Sequence, residues 1–521
     1  MKKIILIPVL LLALTTLGQS WQDTVQRIDA LFASYNGMPG AQLAISRNGQ
    51  TIYSKAWGLA DLEHDVPLTT ISVAEAGSIS KQFTAACILL LEQQGKLSLE
   101  DDVRTYLPEL PDYGTPIRIR HLIQHTSGLR DWGSVAAVSG WPRSTKTYDN
   151  NDALQIVARQ KALNNKPGAE YIYSNSNYNL LAIIIERVSG QSLASFSSSH
   201  LFAPAGMKLT QWRDDYRRIV KNRAIAYSPS RTGFQTDMPN EFAYGNGGLL
   251  TTAEELLQWN NFYLGGHLGQ PSLLPKQLYS DPFLNGNPNS YAAGLIIQTT
   301  NGSKDITHSG ATAGYRADLH HFPELGLSIA WLSNNARPTQ VVTDVINIFV
   351  PKKKAAASTA RAPFLVTPSD LNRYTGWYRN ERSGDGAQLT VRDSILYLQD
   401  QKLVPMAAAR FMAGQNLIDF RPGGFALITV AHDTIVYQAM PAGVSSAAAL
   451  QDYVGTYASE ETASTMQVAL VNGALVARLK PTDQAELTPT YTDGFSFNAG
   501  TLYFFRDRKK AVAGLKISVS R

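Results

Sequence analysis

Cysteine is almost absent from this sequence, which has one, Cys87, in 521 residues. A single cysteine excludes an internal disulfide. Cys87 lies on the apolar side of a helical pattern, which predicts a buried small hydrophobe and not a nucleophile. The nine histidines show no spacing typical of a zinc site. Neither disulfides nor a zinc centre is therefore expected to support the fold or the chemistry.

Charge and long apolar runs are also scarce. Charged residues make up 17% of the chain and the net charge is +5, too weak and too dispersed to indicate nucleic acid binding. The apolar run Ile4–Leu14 is shorter than the roughly 20 residues that span a bilayer. It follows Lys2 and Lys3 and precedes small polar residues, which predicts a signal peptide in residues 1–20. We expect an exported protein, periplasmic or secreted, without a membrane span.

What is present is a long mixed pattern of strands and helices. Alternation over Gln42–Trp57 around Asn48-Gly49 predicts a β-hairpin. Further elements are predicted as helices from Ser78, near Tyr178–Val188, Ala253–Tyr263 and Thr339–Phe349, and as strands at Ala292–Thr299, Tyr315–Phe322 and Leu327–Leu332. Strands at both ends with helices between them predict one α+β domain over residues 21–350, in which the first and last strands share a sheet.

The last third of the chain has a different composition and pattern. Residues 351–366 are rich in small and charged residues and read as a linker. After it, Leu371–Tyr378 and Leu450–Tyr457 match at a constant offset of 79 residues, and each copy continues with short alternating runs. This pattern predicts two small antiparallel β-barrel domains, 367–447 and 448–521.

Ser78 and Lys81 form the first candidate site. Three residues apart on a helix, their side chains are neighbours, and the helix start adds free N–H groups and a positive field. A serine nucleophile needs a base and donors for the developing oxyanion. The alternative is that Ser78 only caps the helix. Ser-x-x-Lys is expected about once by chance in a chain of this length.

Two further motifs carry candidate residues. Tyr173-Ser-Asn175 offers a phenol that nearby cations can help to deprotonate and an amide that can hold a substrate carbonyl. His308-Ser309-Gly310-Ala311 leads into a strand pattern, where glycine allows a close approach and the following N–H can donate to an oxyanion. Taken alone, each stretch is better explained as a turn or loop beside a secondary-structure element than as a catalytic site.

Together, the three motifs resemble those of the serine β-lactamase and penicillin-binding-protein superfamily, in the branch of class C β-lactamases, DD-peptidases, D-aminopeptidases and esterases. The resemblance covers about Met38–Phe349. It implies a β-lactamase/DD-peptidase-like domain, an antiparallel sheet flanked by helices. The two β-domains that follow resemble the lipocalin-like modules of some members. No metal or organic cofactor is implied.

The resemblance also implies a role for each residue. Ser78 is the acylated nucleophile, Lys81 hydrogen-bonds it, and Tyr173 takes its proton and passes it to the leaving group. Asn175 orients the substrate, with His308, Ser309 and Gly310 along the binding strand. The N–H groups of Ser78 and Ala311 form the oxyanion hole.

One residue points to the substrate class. The β-lactamases of this branch carry lysine where this chain has His308, and histidine is mostly neutral near pH 7. We therefore expect a D-amino-acid peptide or an ester as substrate, as for a DD-peptidase or D-aminopeptidase. A class C-like β-lactamase and a penicillin- or peptide-binding receptor without turnover are the alternatives. The substrate partner is a small molecule or short peptide; the oligomeric state is left open.

Overall fold

A computed structural model of the chain describes residues 21–337, 340–352, 364, 366–429, 434–480, 483–498 and 500–519. The predicted signal peptide, residues 1–20, and most of the predicted linker, 351–366, lie outside these residues. Across the described part of the chain, the helices are too short or too polar for any of them to cross a bilayer.

Helices of the α+β region follow local start and stop signals. They are α1 (residues 21–32), α2 (Ser80–Gln93), α3 (Ile119–Ile123), α4 (Trp132–Val138), α5 (Asn150–Ala158), α6 (Asn175–Ser189), α7 (Leu193–Ser197), α8 (Ala203–Ala205), α9 (Ala253–Tyr263), α10 (Leu274–Gln277) and α11 (Val341–Phe349). Thr252 caps α9 by accepting a hydrogen bond from Glu255 N, and α6 ends at Gly190, whose φ of 72° suits glycine. The predicted helix Ala253–Tyr263 is confirmed.

The strands of this region form one large sheet and three small ones. They are β1 (Ala41–Arg47), β2 (Gln50–Trp57), β3 (Leu59–Asp61), β4 (Val66–Pro67), β5 (Ala74–Glu75), β6 (Gln211–Trp212), β7 (Tyr227–Ser230), β8 (Gly233–Thr236), β9 (Leu249–Thr251), β10 (Ile296–Thr300), β11 (Ser303–Thr312), β12 (Tyr315–Phe322) and β13 (Leu327–Ser333). The large sheet is antiparallel in the order β10-β11-β12-β13-β1-β2. Asn48 and Gly49 make the β1–β2 turn with positive φ, and β1 pairs with β13. The predicted hairpin and shared sheet are confirmed.

Each face of the large sheet has its own apolar core. On one face, residues of α1 and α11 such as Phe32 and Val345 pack against Trp331 and Ile329. On the other face, α2, α6 and α9 pack in a larger core, where the rings of Phe83 and Trp259 stack at 4.0 Å. Burial of an aromatic side chain of this size typically contributes about 3–5 kcal/mol, so α2, which follows Ser78, is held firmly.

Two all-β units follow. The first contains α12 (Pro368–Asn372) and the strands β14 (Gly376–Asn380), β15 (Gly386–Arg392), β16 (Ile395–Leu398), β17 (Gln401–Ala407), β18 (Arg410–Ala413), β19 (Asn416–Arg421), β20 (Gly424–Ile428) and β21 (Thr434–Met440). These strands close into a barrel because β14 pairs with β21. The second contains α13 (Ala447–Leu450) and the strands β22 (Gly455–Ser459), β23 (Ser464–Val471), β24 (Ala474–Lys480), β25 (Asp483–Pro489), β26 (Gly494–Phe497), β27 (Gly500–Arg506) and β28 (Val512–Val519). This seven-stranded sheet is nearly closed, without β22–β28 pairing in the described residues.

The sequence repeat corresponds to a structural repeat. In the first unit the hydroxyl of Tyr378 donates to the carbonyl of Tyr374, and in the second Tyr457 donates to Tyr453, both at 2.9 Å. The short helix before each tyrosine pair is capped by a hydroxyl, of Thr367 or of Ser446. The 79-residue offset thus preserves the cap as well as the buried contact, and two C-terminal β-barrel domains are confirmed.

Candidate active site

Ser78 lies in a tight turn and not at a helix cap. Gly77–Ile79 forms one 3₁₀ turn, α2 begins at Ser80, and no side chain caps either element. Gly77 has a φ of 52°, and a Cβ there would lie 2.6 Å from the nitrogen of Ala311. Only glycine tolerates both conditions. The turn therefore holds Ser78 against strand β11, with its side chain only partly buried.

Lys81 connects the first two motifs. Its side chain is fully buried, and Nζ donates to Ser78 Oγ at 3.1 Å, to Asn175 Oδ1 at 2.9 Å and to the carbonyl of Asn246 at 2.6 Å. A buried ammonium is tolerated when its three N–H donors are bound in this way. Lys81 therefore supplies a fixed positive charge beside the hydroxyl of Ser78.

Tyr173 and Asn175 reach the same point from the start of α6. Nζ of Lys81 lies 4.7 Å from the centroid of the Tyr173 ring, and the ring of His125 packs against that ring at 4.3 Å. The main chain of Asn175 is fixed because its N–H donates to Asp131 Oδ2 at 2.7 Å. Since Asn175 Oδ1 accepts from Lys81, its amide NH₂ is the group left to face a substrate carbonyl.

Strand β11 presents a free edge beside Ser78. Strand β10 pairs with β11 only over Ser303–Thr307, whereas β12 pairs with it as far as Thr312. From residue 308 onward no described strand covers the outer edge. Ser309 and Ala311 are exposed, and a Cβ on Gly310 would lie 3.1 Å from the nitrogen of Ser78. Ser78 and Ala311 thus bring two main-chain N–H groups close together, as an oxyanion site requires.

His308 lies behind this edge and is 3% exposed. Its Nδ1 contacts the carbonyl of Ser309 at 2.7 Å and its Nε2 contacts the hydroxyl of Tyr291 at 2.9 Å. A carbonyl only accepts, so Nδ1 carries the proton and Nε2 accepts from Tyr291. Burial, reinforced by the charge of Lys81, lowers the pKa of His308 to about 3. The ring is therefore neutral at physiological pH and cannot attract a substrate carboxylate as a lysine would.

A buried ion pair supports the other side of the site. Arg213 Nε donates to Glu75 Oε2 at 2.8 Å, with both side chains at most 4% exposed. The other carboxylate oxygen of Glu75 accepts from Gly248 N at 3.0 Å. Glu75 comes two residues before the Ser78 turn, and Gly248 two residues after Asn246. The pair therefore fixes the loop whose carbonyl holds Lys81.

Several of these groups were not singled out from the sequence. Asp131 precedes a helix in the pattern Asp-Trp-Gly-Ser, an N-cap signal that could have been noticed. Asn246 lies in the Gly245–Gly248 stretch but acts through its main-chain carbonyl, which no side-chain pattern reveals. Tyr291 belongs to no motif, and only the fold brings its hydroxyl to His308.

One side-chain cluster among the described residues has the spacing of metal ligands. Asp61, Glu63 and His64 have potential ligand atoms within 4.8 Å of one another. His64 already hydrogen-bonds Asp61 at 2.7 Å, and Glu63 and His64 are exposed. Exposed acidic groups commonly lie together without an ion, so this cluster indicates no metal centre.

The comparisons with known proteins agree with this geometry. The family model described as Beta-lactamase matches residues 28–349, more than half of the chain. The chain is 27% identical over 470 residues to a D-aminopeptidase of Cereibacter sphaeroides strain KD131, covering 87% of this chain and 86% of the relative. It is 29% identical over 413 residues to penicillin-binding protein 4* of Bacillus subtilis, covering 70% of this chain and 86% of the relative.

Solved structures show the same fold. The octameric penicillin-binding protein homologue from Pyrococcus abyssi superimposes with a TM-score of 0.54 at 22% identity, covering 81% of this chain and 100% of that one. The D-amino acid amidase from Ochrobactrum anthropi SV3 gives a TM-score of 0.53 at 20% identity, covering 62% of this chain and 97% of that one. The chain therefore belongs to the Beta-lactamase family, and it is a serine hydrolase of that family.

Proposed function

We propose that the protein is an exported hydrolase that forms an acyl-enzyme on Ser78 and cleaves amide bonds next to D-amino acids, in the manner of a D-aminopeptidase, or related esters. The observation that carries this proposal is the bridge from Lys81 Nζ to both Ser78 Oγ and Asn175 Oδ1. The relatives named D-aminopeptidase, which align along most of the chain, support the choice of substrate.

The reaction follows from the arrangement of the groups. Tyr173, acting as the general base beside the charge of Lys81, takes the proton from Ser78 Oγ as that oxygen bonds to the substrate carbonyl carbon. The N–H groups of Ser78 and Ala311 stabilise the oxyanion. When the C–N bond breaks, Tyr173 gives the proton to the leaving amine. Water then attacks the ester and gives its proton to Tyr173. As the ester bond breaks, Tyr173 returns that proton to Ser78 Oγ, and the acid leaves with Ser78 and Tyr173 in their starting states.

His308 separates this proposal from the β-lactamase alternative. A neutral, buried ring offers no charge to the carboxylate that penicillins and cephalosporins carry. A D-aminopeptidase substrate needs no carboxylate at that point, so the neutral side chain is compatible with it. We therefore expect weak or absent turnover of β-lactams.

A substrate panel tests the proposal. Purified mature protein is assayed with D-alanine p-nitroanilide, its L-isomer, p-nitrophenyl acetate and a chromogenic cephalosporin. We expect fastest turnover of the D-anilide and its loss in Ser78→Ala, whereas Ser199→Ala, which changes an exposed serine, behaves as wild type. Equal turnover of both isomers would contradict the substrate class. Unchanged activity in Ser78→Ala would contradict the mechanism, and a stable β-lactam adduct without any turnover would support a receptor instead.

Export has its own test. The full-length chain is expressed in a Gram-negative bacterium, and the N-terminus of the protein recovered from the periplasm is sequenced. We expect cleavage near Gly18 to Ser20. Recovery of the uncleaved chain from the cytoplasm would contradict the proposed location and leave the catalytic proposal unaffected.

A further inference from the structure

A pocket between the two barrels has no part in the chemistry at Ser78. It has a volume of about 380 Å³ and is lined by residues of both barrels. Trp377 and Gln388 come from the first barrel, and Thr490 and Ser496 come from the second. Gly386 lies at its base, where a Cβ would be 3.1 Å from Thr490 Cβ and 3.3 Å from Trp377 Cζ3. The absence of a side chain there lets the indole and Thr490 lie side by side.

The lining combines one aromatic ring with many uncharged polar groups. Beside Trp377, which is half-buried, it includes two amide side chains and three hydroxyls. The hydroxyls of Thr390 and Thr490 are buried and have no hydrogen-bond partner among the described residues. Both oxygens are covered by the protein, so they can bond to a ligand only after the threonine side chains rotate toward the pocket. The missing partner favours that rotation when a ligand supplies one.

The pocket carries little net charge. Its guanidinium, Arg392, is paired with its carboxylate, Asp400, at 3.2 Å. This pairing disfavours phosphates and other anions, and the polar lining disfavours lipids. An indole face beside amides and hydroxyls matches a sugar ring, which has apolar C–H faces and a polar rim of hydroxyl groups.

We infer that this pocket binds a short, uncharged oligosaccharide, with one sugar ring against Trp377 and its hydroxyls directed toward Gln388 and Thr490. The site lies on the barrels, so it would hold the enzyme at a glycan without taking part in hydrolysis.

Binding is tested with the full mature chain by isothermal titration calorimetry, using chitotriose and maltotriose as probes. We expect saturable binding of at least one probe and weakening by about tenfold in Trp377→Ala, since the variant removes the ring against which the sugar packs. Trp141→Ala is the matched control, because it removes a 52% exposed indole from the α+β region. Thr490→Val keeps the shape of the side chain and removes its hydroxyl, so it should also weaken binding. This variant tests the inference even if Trp377→Ala disturbs the barrel.

Hydrolysis of D-alanine p-nitroanilide is measured in the same variants. It should stay at the wild-type rate in Trp377→Ala and Thr490→Val, because neither residue lies in the catalytic machinery. No saturable binding of either probe would overturn the inference. Binding that Trp377→Ala and Thr490→Val leave unchanged would overturn it as well, because the sugar would then lie elsewhere.

Discussion

Two buried cationic residues contact the Gly245–Gly248 loop, and their surroundings differ. Lys81 donates to a hydroxyl, a side-chain amide and a main-chain carbonyl, all uncharged oxygens. Arg213 donates to the carboxylate of Glu75. A charge held by neutral oxygens still acts on nearby groups, whereas a charge beside a carboxylate is largely cancelled. We propose that Lys81 acts in catalysis and that Arg213 stabilises the fold around the site.

The largest expected effect comes from removing the first cation. Lys81→Met keeps the length of the side chain and removes its charge, so it should lower the hydrolysis rate by about 10²–10⁴-fold, the usual contribution of a general-base system. Tyr173→Phe should cost about 100-fold or more. Steady-state kinetics on the D-anilide measures both. A rate within about threefold of wild type for either variant would be incompatible with the base network we propose.

Removing the partner of the second cation should affect stability first. Glu75→Gln removes the nearer carboxylate from buried Arg213 and leaves Glu241 Oε1 at 3.9 Å from Nη2. The loss should therefore lie near the lower end of the about 3–5 kcal/mol that breaking a buried pair costs. Urea unfolding measures the loss. Glu109→Gln is the control, since its pair with Arg187 is about one-third exposed and should contribute less than about 1 kcal/mol. Equal losses in the two variants would show that the buried Glu75–Arg213 pair contributes no more to stability than a partly exposed pair.

The lowered pKa of His308, caused first by burial and then by the charge of Lys81, makes stability depend on pH. The folded pKa, about 3, lies below the ordinary value of 6.5. Between these values the unfolded chain binds a proton that the folded one does not, so stability falls as the pH drops below 6.5, by up to about 1.4 kcal/mol per pH unit.

Denaturant unfolding from pH 7 to pH 4 compares wild type with His308→Gln. The variant should have the shallower slope. His121, whose burial lowers its pKa to about 4, contributes the same slope to both proteins and cancels in the difference. Parallel curves for the two proteins would show that His308 is not held neutral.

The smallest effect is expected where a charge pair is partly exposed. Glu461 of the second barrel accepts from Arg130 Nη1 at 2.6 Å and from Lys161 N at 2.7 Å. Glu461→Gln should lower stability by about 1 kcal/mol. Glu460→Gln, at an 82% exposed neighbour that pairs with the Lys161 side chain, should change stability less than Glu461→Gln does. A larger loss of stability in Glu460→Gln than in Glu461→Gln would show that the exposure of a charge pair does not determine its contribution to stability.

Local signals account for most of what could be predicted from the sequence. Some structures could be predicted because a few neighbouring residues determine them. Examples are the turn at Asn48-Gly49, helix α9 with its apolar spacing, and the short segments around Tyr374 and Tyr453. The three motifs drew attention to Ser78, Lys81 and Tyr173 because a known family arranges such residues together.

The rest depends on contacts between distant parts of the chain. Asn246 lies 165 residues from Lys81 and contacts it through a carbonyl that every residue possesses. The burial of His308 and its contact with Tyr291 depend on how β11 lies against the helices. Trp377 and Thr490 come together only where the two barrels meet, and neither stretch has a recognisable motif.

The most direct test of the central claim is labelling by a fluorophosphonate, a reagent that activated serines attack irreversibly. Peptide mass spectrometry locates the label, and its rate is followed in wild type and Lys81→Met. We expect one phosphonylated residue, Ser78, and labelling slowed by about 100-fold or more in the variant. A label on a different serine, or equal labelling rates in the two proteins, would contradict the central claim.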